Sequence, residues 1–312
     1  MVTSRMRAGS RAADVRWSDV TVFVLTSTAL AWLVCLPLWL DPAGLRSVHA
    51  LWVPLVMMFT PALATVVVTW RPGRSPFRTV LPDLGITPVR PLGRTIAYSV
   101  GAIVLMIGVI AAGIGIAMSF GLVRLDLDQF SGYRALLPNG VPAAAPISVL
   151  VLVQFILLPI AAVFNGVLAV GEEVGWRGWL LPALQPLGSW PAVLITGVVW
   201  GIWHSPLILL GYNFERPDVT GVLLMIIGCV AVGVLLGWLR LWSGSLWPSV
   251  FGHGAFNAAG GLVVLLSSAD APADPALAGP LGFGTWVAVA ACAVVALIVR
   301  GRRRVKSGSL GA

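Results

Sequence analysis

The chain has 312 residues, of which 58% are hydrophobic and only 10% are charged, and its mean hydropathy is +0.94. This composition is far more apolar than that of soluble domains, so it argues against a soluble enzyme and predicts a polytopic membrane protein. The net charge of +8 would suit a nucleic-acid-binding protein, but the arrangement of the basic residues along the chain argues against that partner.

About eight apolar stretches follow one another, each close to the roughly 20 helical residues that cross a bilayer core. Only helices and closed barrels satisfy their backbone hydrogen bonds in lipid, and barrel strands are about ten residues long, so these stretches are predicted to be helices. The predicted fold class is all-α, a transmembrane helix bundle. The expected spans are 21–40, 51–70, 95–123, 147–170, 191–211, 221–241, 247–268 and 283–300.

Basic residues alternate between the hydrophilic segments that join these spans. Fifteen of the 20 Lys and Arg residues fall in alternate segments, namely 1–20, 71–94, Arg240 and 300–312. The intervening loops hold only four, namely Arg46, Arg124, Arg134 and Arg216. Those loops also hold seven acidic residues, against three in the basic set. This positive-inside pattern predicts that both termini are cytoplasmic.

Polar side chains within the spans are concentrated in the second half of the chain. Gln154, Asn165 and Glu172 are spaced by 11 and 7 residues, which predicts that all three project from one helical face. The first three spans have almost no polar residues at their centres. We therefore divide the chain into an N-terminal scaffold, a catalytic core, and a C-terminal span with a basic cytoplasmic tail, namely 1–146, 147–268 and 269–312.

The first of three candidate clusters contains Glu172, Glu173 and Arg177. Ionisable groups inside a membrane are costly and mark function by default. Adjacent residues on a helix diverge by about 100°, so Glu172 and Glu173 are expected to have different roles. The i,i+4 spacing predicts an ion pair between Glu173 and Arg177, which leaves Glu172 as the candidate base.

The second cluster is Trp200 with His204, and the third is His253 with Asn257; in each, the two side chains share a helical face. Amide hydrolysis needs groups that deprotonate water, stabilise an oxyanion and protonate the leaving amine. In one arrangement, Glu172, His204 and His253 bind a divalent metal such as zinc. In the other there is no metal: Glu172 and His204 activate water, and His253 and Asn257 donate to the oxyanion.

These residues resemble the motifs of the CAAX proteases and bacteriocin-processing enzymes, the CPBP or Abi intramembrane proteases, which include the Ras-converting CAAX prenyl endopeptidase. The family pattern is two glutamates with an arginine four residues on, an aromatic four residues before a histidine, and a histidine four residues before an asparagine. This chain has Glu172, Glu173 and Arg177, then Trp200 and His204, then His253 and Asn257. One departure is Trp200, where phenylalanine is commonest.

The resemblance implies an intramembrane endopeptidase with a cavity that opens toward the cytoplasm. The expected substrate is a membrane-associated protein or peptide in the bilayer, and composition hints at a bacterial plasma membrane. If the host is bacterial, farnesylated proteins are absent, and a peptide leader, a bacteriocin or a membrane-protein segment is expected instead. Two alternatives remain, a catalytically idle immunity or scaffold protein and an ion-coupled transporter, since carboxylates and histidines in membranes also mark ion paths. The sequence leaves the oligomeric state open.

Overall fold

All regular secondary structure in the computed structural model is helical. The structure describes residues 14–70, 80–88, 91–137 and 146–308. Within these ranges the sole β-type pairing is one antiparallel bridge between Leu125 and Ser267. The prediction of an all-α fold is therefore confirmed.

The helices follow one another with short connections. In chain order they are α1 (Trp17–Leu40), α2 (Val53–Met57), α3 (Thr60–Thr69), α4 (Leu92–Ser119), α5 (Ser131–Arg134), α6 (Ile147–Glu173), α7 (Leu181–Leu184), α8 (Ser189–Trp203), α9 (Ser205–Ile208), α10 (Val219–Ser243), α11 (Trp247–Ala259), α12 (Leu262–Leu266), α13 (Pro275–Ala278) and α14 (Phe283–Gly308). A π-helix, Val174–Leu180, joins α6 to α7. Short 3-10 turns lie at Gly44–Arg46, Val48–Leu51 and Gln185–Leu187.

Six helical stretches of the described chain are long and apolar enough to cross a membrane. They are Trp17–Leu40, Leu92–Ser119, Ile147–Leu187, Val219–Ser243, Trp247–Leu266 and Pro275–Ala296. The other two expected spans correspond to shorter apolar helices, Val53–Thr69 and Ser189–Trp203. Prolines account for their interruption, since Pro61 lies in the first turn of α3 and Pro206 in that of α9. The chain is a multi-pass membrane protein, and the count of eight spans stays a prediction.

Helix α11 packs against α4, α6 and α10. A Cβ atom at Gly254 would overlap the backbone nitrogen of Gly166, so α6 and α11 cross with their backbones almost in contact. Likewise, a Cβ atom at Gly201 of α8 would lie 2.5 Å from the Cα atom of Ile226 on α10. Small residues at such crossings are how membrane helices gain van der Waals contact without a hydrophobic driving force.

Contacts between loops define two ends of the bundle. At one end, the backbone N–H of Leu246 donates to the carbonyl of Gly85 at 2.9 Å. The Arg240 guanidinium donates to the carbonyl of Asp83 at 3.1 Å. We call segments 80–88, 91–94 and 240–247 the basic end, because they hold Arg94 and Arg240 and adjoin the Arg-rich loop 71–79 in sequence.

The other end is built from segments 120–137, 204–218 and 267–282, which we call the acidic end. The backbone N–H of Ser268 donates to the carbonyl of Arg124 at 2.9 Å. Arg216 binds both carboxylate oxygens of Asp274, at 3.1 and 2.7 Å. These three segments contain six acidic residues and three arginines. Loops that are far apart in the chain thus form one acidic surface.

Candidate active site

The two adjacent glutamates end helix α6, directly before the π-helix. Both side chains are buried, with exposed fractions of 3% for Glu172 and 0% for Glu173. They have different partners, as expected from the angle of about 100° between neighbouring positions on a helix. The π-helix that follows is a rare type of helix, and where it occurs it is often at a functional site. The helix thus presents two carboxylates in two directions.

Glu173 joins helices α6 and α11. Its Oε1 atom accepts a hydrogen bond from Nη1 of Arg177 at 2.7 Å and lies 2.9 Å from Nδ1 of His253. Because a carboxylate only accepts, His253 carries a proton on Nδ1. The other Glu173 oxygen, Oε2, has no hydrogen-bond partner within the described residues. A fully buried carboxylate of this kind depends on Arg177 for charge compensation.

Glu172 is held by the aromatic residue of the second cluster. The indole Nε1 of Trp200 donates a hydrogen bond to Oε2 of Glu172 at 2.7 Å. The indole itself is fixed by its neighbours, since the Arg177 guanidinium lies 4.5 Å from its centroid and the His253 ring 5.2 Å from it. Trp200 therefore connects the base candidate to both partners of Glu173.

His204 follows the last residue of α8, where the helix gives way to α9. Its Nδ1 atom lies 2.9 Å from the backbone carbonyl of Trp200. A carbonyl can only accept, so Nδ1 carries the proton and Nε2 keeps a free lone pair. The Trp203 ring packs edge-on against the imidazole at 4.6 Å, and the Trp203 indole donates to Thr60 at 3.0 Å. These contacts leave Nε2 as the basic atom of His204.

One cavity of about 790 Å³ collects the candidate residues. Its lining includes Glu172, His204, His253 and Asn257. The Asn257 side chain is exposed to this space, whereas the other three are largely enclosed. The Glu173–Arg177 ion pair lies behind the lining. Three helices thus bring four chemically suitable side chains to the same space.

Comparison with known families bears on this same segment. Residues 147–259 match the family described as Rce1-like, type II CAAX prenyl endopeptidase. The chain carries an Rce1-like domain. The match supports assignment to the CPBP and CAAX protease family, which confirms the resemblance seen in the motifs. No curated protein matches the chain at a significant level.

The Rce1-like domain lies within the predicted catalytic core, 147–268, and contains all six candidate residues. A CAAX-type protease is a hydrolase that acts within a membrane, so the match supports a protease with a membrane-associated substrate. The role of each side chain stays a prediction.

The metal arrangement requires Glu172, His204 and His253 to converge on one point. Within the described residues, no group of three His, Cys, Asp or Glu side chains is close enough to hold a metal ion. His253 is directed through Nδ1 at Glu173, and Glu172 at the Trp200 indole. The side chains as placed do not fit a three-residue metal site.

Sequence reasoning missed some features of the Rce1-like domain. Trp200 was expected as an aromatic neighbour of His204, yet its indole N–H also binds Glu172. The sequence signal for this hydrogen bond was the tryptophan itself, which stands where phenylalanine is commonest in the family. The phenol of Tyr212 also lines the cavity, and the surrounding protein and the Glu172 charge raise its pKa. Of the predicted polar stripe, Asn165 and Glu172 line the cavity. Gln154 does not, because its side chain is exposed and donates a hydrogen bond to Tyr133.

Proposed function

We propose that this chain is an intramembrane endopeptidase that hydrolyses a peptide bond of a membrane protein or membrane-associated peptide. The observation that carries the proposal is that Glu172, His204, His253 and Asn257 line one cavity inside a bundle of apolar helices. A water molecule and an extended peptide fit within about 790 Å³. The Rce1-like match supports the same class of reaction.

In this mechanism Glu172 removes a proton from the attacking water, and the oxygen of that water bonds to the carbonyl carbon. The Trp200 indole holds the carboxylate in place through its 2.7 Å hydrogen bond. His204 assists through Nε2, because its Nδ1 proton is held by the Trp200 carbonyl. Fixed groups of this kind stabilise the reaction without reorganising, which is the main source of rate in such sites.

The third cluster stabilises the oxyanion, and the base protonates the leaving amine. The Asn257 amide donates to the oxyanion, and the His253 ring, whose Nδ1 proton is held by Glu173, lines the same space. The C–N bond then breaks, and the proton that Glu172 took from water goes to the leaving nitrogen. Glu173 and Arg177 act as positioning residues, since Oε1 of Glu173 fixes the His253 ring at 2.9 Å.

The test of this function is the appearance of new peptide ends in membranes that contain the chain. We propose a bacterial plasma membrane as the host compartment, and leaders, bacteriocins or membrane-protein segments as substrates. Membranes with the wild type should contain N-termini that membranes with Glu172→Gln lack, as measured by mass spectrometry of labelled termini. Identical sets of termini from the two membranes would contradict an endopeptidase.

Trp200→Phe should lower kcat and leave KM nearly unchanged. The ring remains, but Glu172 loses a hydrogen bond of the charged type, worth about 1.5–3 kcal/mol, or roughly 10- to 150-fold in rate. Steady-state cleavage by the reconstituted protein measures both constants. Trp247→Phe is the control, because it removes an indole hydrogen bond to Ile86 at the basic end. Equal kinetics for the two variants would show that the Trp200 N–H has no role.

Exhaustive chelation should leave the cleavage rate unchanged, because the proposed mechanism uses side chains alone. The measurement compares the rate before and after dialysis against a chelator, together with the metal content of the purified protein. Loss of activity that zinc restores would contradict this mechanism. It would instead support Glu172, His204 and His253 as metal ligands that come together in a state other than the one described.

A further inference from the structure

The active-site cavity extends from the buried cluster toward one end of the bundle. Its lining continues along α11 and α12 from His253 through Asn257, Gly260 and Val264 to Ser268. A helix of fifteen residues covers roughly 20 Å, so this mostly helical stretch reaches across a large part of a bilayer core. The cavity is thus a deep channel that starts at the catalytic side chains.

The outer lining belongs to the acidic end. It includes Leu136, Tyr212, Glu215, Ala269 and Ala273, which come from all three segments of that end. Among the described residues, none of those lining the cavity belongs to the basic end. The mouth of the cavity therefore faces the acidic end.

Charge relates the two ends to the two sides of the membrane. The segments that alternate with the basic ones hold four arginines and seven acidic residues, whereas the basic set holds 15 cations and three acidic residues. Lys and Arg near span ends are retained on the cytoplasmic side. The acidic end is then the non-cytoplasmic one. The site's mouth lies opposite the side that the family resemblance implies.

We infer that the scissile segment reaches the active site from the non-cytoplasmic side, through a mouth formed by the three acidic-end loops. The substrate class is then a membrane protein or peptide whose cleaved segment has already crossed the bilayer or lies in its outer half. This inference rests on the proposed function and specifies which of the substrates named there are accessible. Cytoplasmic tails, the location of prenylated cysteines, are not in this class.

Single cysteines at the two ends test the direction. In a variant with Cys35, Cys229 and Cys292 changed to alanine, Ala269→Cys places a thiol at the mouth, and Asp83→Cys places one at the basic end. A membrane-impermeant maleimide applied to spheroplasts should label Ala269→Cys and should not label Asp83→Cys until the membrane is permeabilised. Protection of Ala269→Cys with labelling of Asp83→Cys would overturn the inference. This measurement needs no activity, so it stays informative if the proposed function fails.

Blocking the mouth tests the route itself. After complete reaction of Ala269→Cys with a bulky impermeant maleimide, cleavage by the reconstituted protein should be lost, and the same reagent on Asp83→Cys should leave it intact. Unchanged cleavage after labelling at 269 would overturn the route. If the unlabelled variants and the cysteine-free parent already lacked activity while the wild type was active, the cysteines would be restored one at a time. A wild type without activity would contradict the proposed function instead.

Discussion

Glu172→Gln should reduce cleavage of a native substrate by about 10²- to 10⁴-fold, the usual contribution of a general base. The amide has nearly the same shape and still accepts the Trp200 hydrogen bond, so the fold and the cavity should be retained. It cannot take a proton from water, however. We therefore expect kcat to fall by that factor while substrate binding persists.

The measurement is single-turnover cleavage by purified protein in proteoliposomes, with thermal unfolding followed by tryptophan fluorescence. Asp83→Asn is the matched control, because it also converts a carboxylate to an amide but lies exposed at the basic end, outside the cavity lining. Wild-type cleavage by Glu172→Gln would show that another group is the base. A cellular phenotype that survives this substitution would favour the idle scaffold alternative.

Arg177→Ala should destabilise the protein by about 3–5 kcal/mol, the typical cost of removing one partner of a buried ion pair. Glu173 would keep its charge at 0% exposure with only His253 beside it. Trp200 would also lose the cation above its ring. Stability is measured as the free energy of unfolding in mixed micelles titrated with a denaturing detergent.

A half-exposed ion pair provides the comparison. The side chains of Arg216 and Asp274 are each 35% exposed, so Arg216→Ala should cost no more than about 1 kcal/mol. The double variant Glu173→Gln with Arg177→Met should recover much of the stability lost in Arg177→Ala, because no uncompensated charge remains. It should not recover activity, since His253 loses its carboxylate. Equal destabilisation by Arg177→Ala and Arg216→Ala would disprove the proposed structural role of the Glu173–Arg177 pair.

The sequence predicted the fold class because lipid leaves the backbone few choices. Apolar stretches near 20 residues identified the six long helical stretches with shifts at their ends. The sequence was less informative at 51–70 and 191–211, where the helices are shorter than the apolar stretches. Hydropathy reports how apolar a stretch is, whereas a proline decides where the helix within it stops. The division between the basic and acidic ends was already visible in the charge pattern.

The candidate residues could be found in the sequence, but their pairing could not. The i,i+4 spacing predicted the contact between Arg177 and Glu173, which lie on one continuous helical segment. Sequence reasoning grouped His253 with Glu172, whereas the structure places its Nδ1 atom against Glu173. That partner depends on how α6 and α11 cross at Gly166 and Gly254, and helix crossings are set by packing between segments far apart in the chain. The direction of the cavity has the same origin.

The π-helix from Val174 to Leu180 makes this region sensitive to chain length. Its wider turns take in more residues per turn than an α-helix. Deleting a single residue here would favour an ordinary helix and rotate the side chains within the stretch, while the residues that follow it would nearly keep their register. Substitutions in this stretch act locally, but a length change would disconnect Trp176 and Trp179 from Phe23 on α1, against which both rings pack. We expect natural and laboratory-evolved versions of this domain to accept substitutions here far more readily than insertions or deletions.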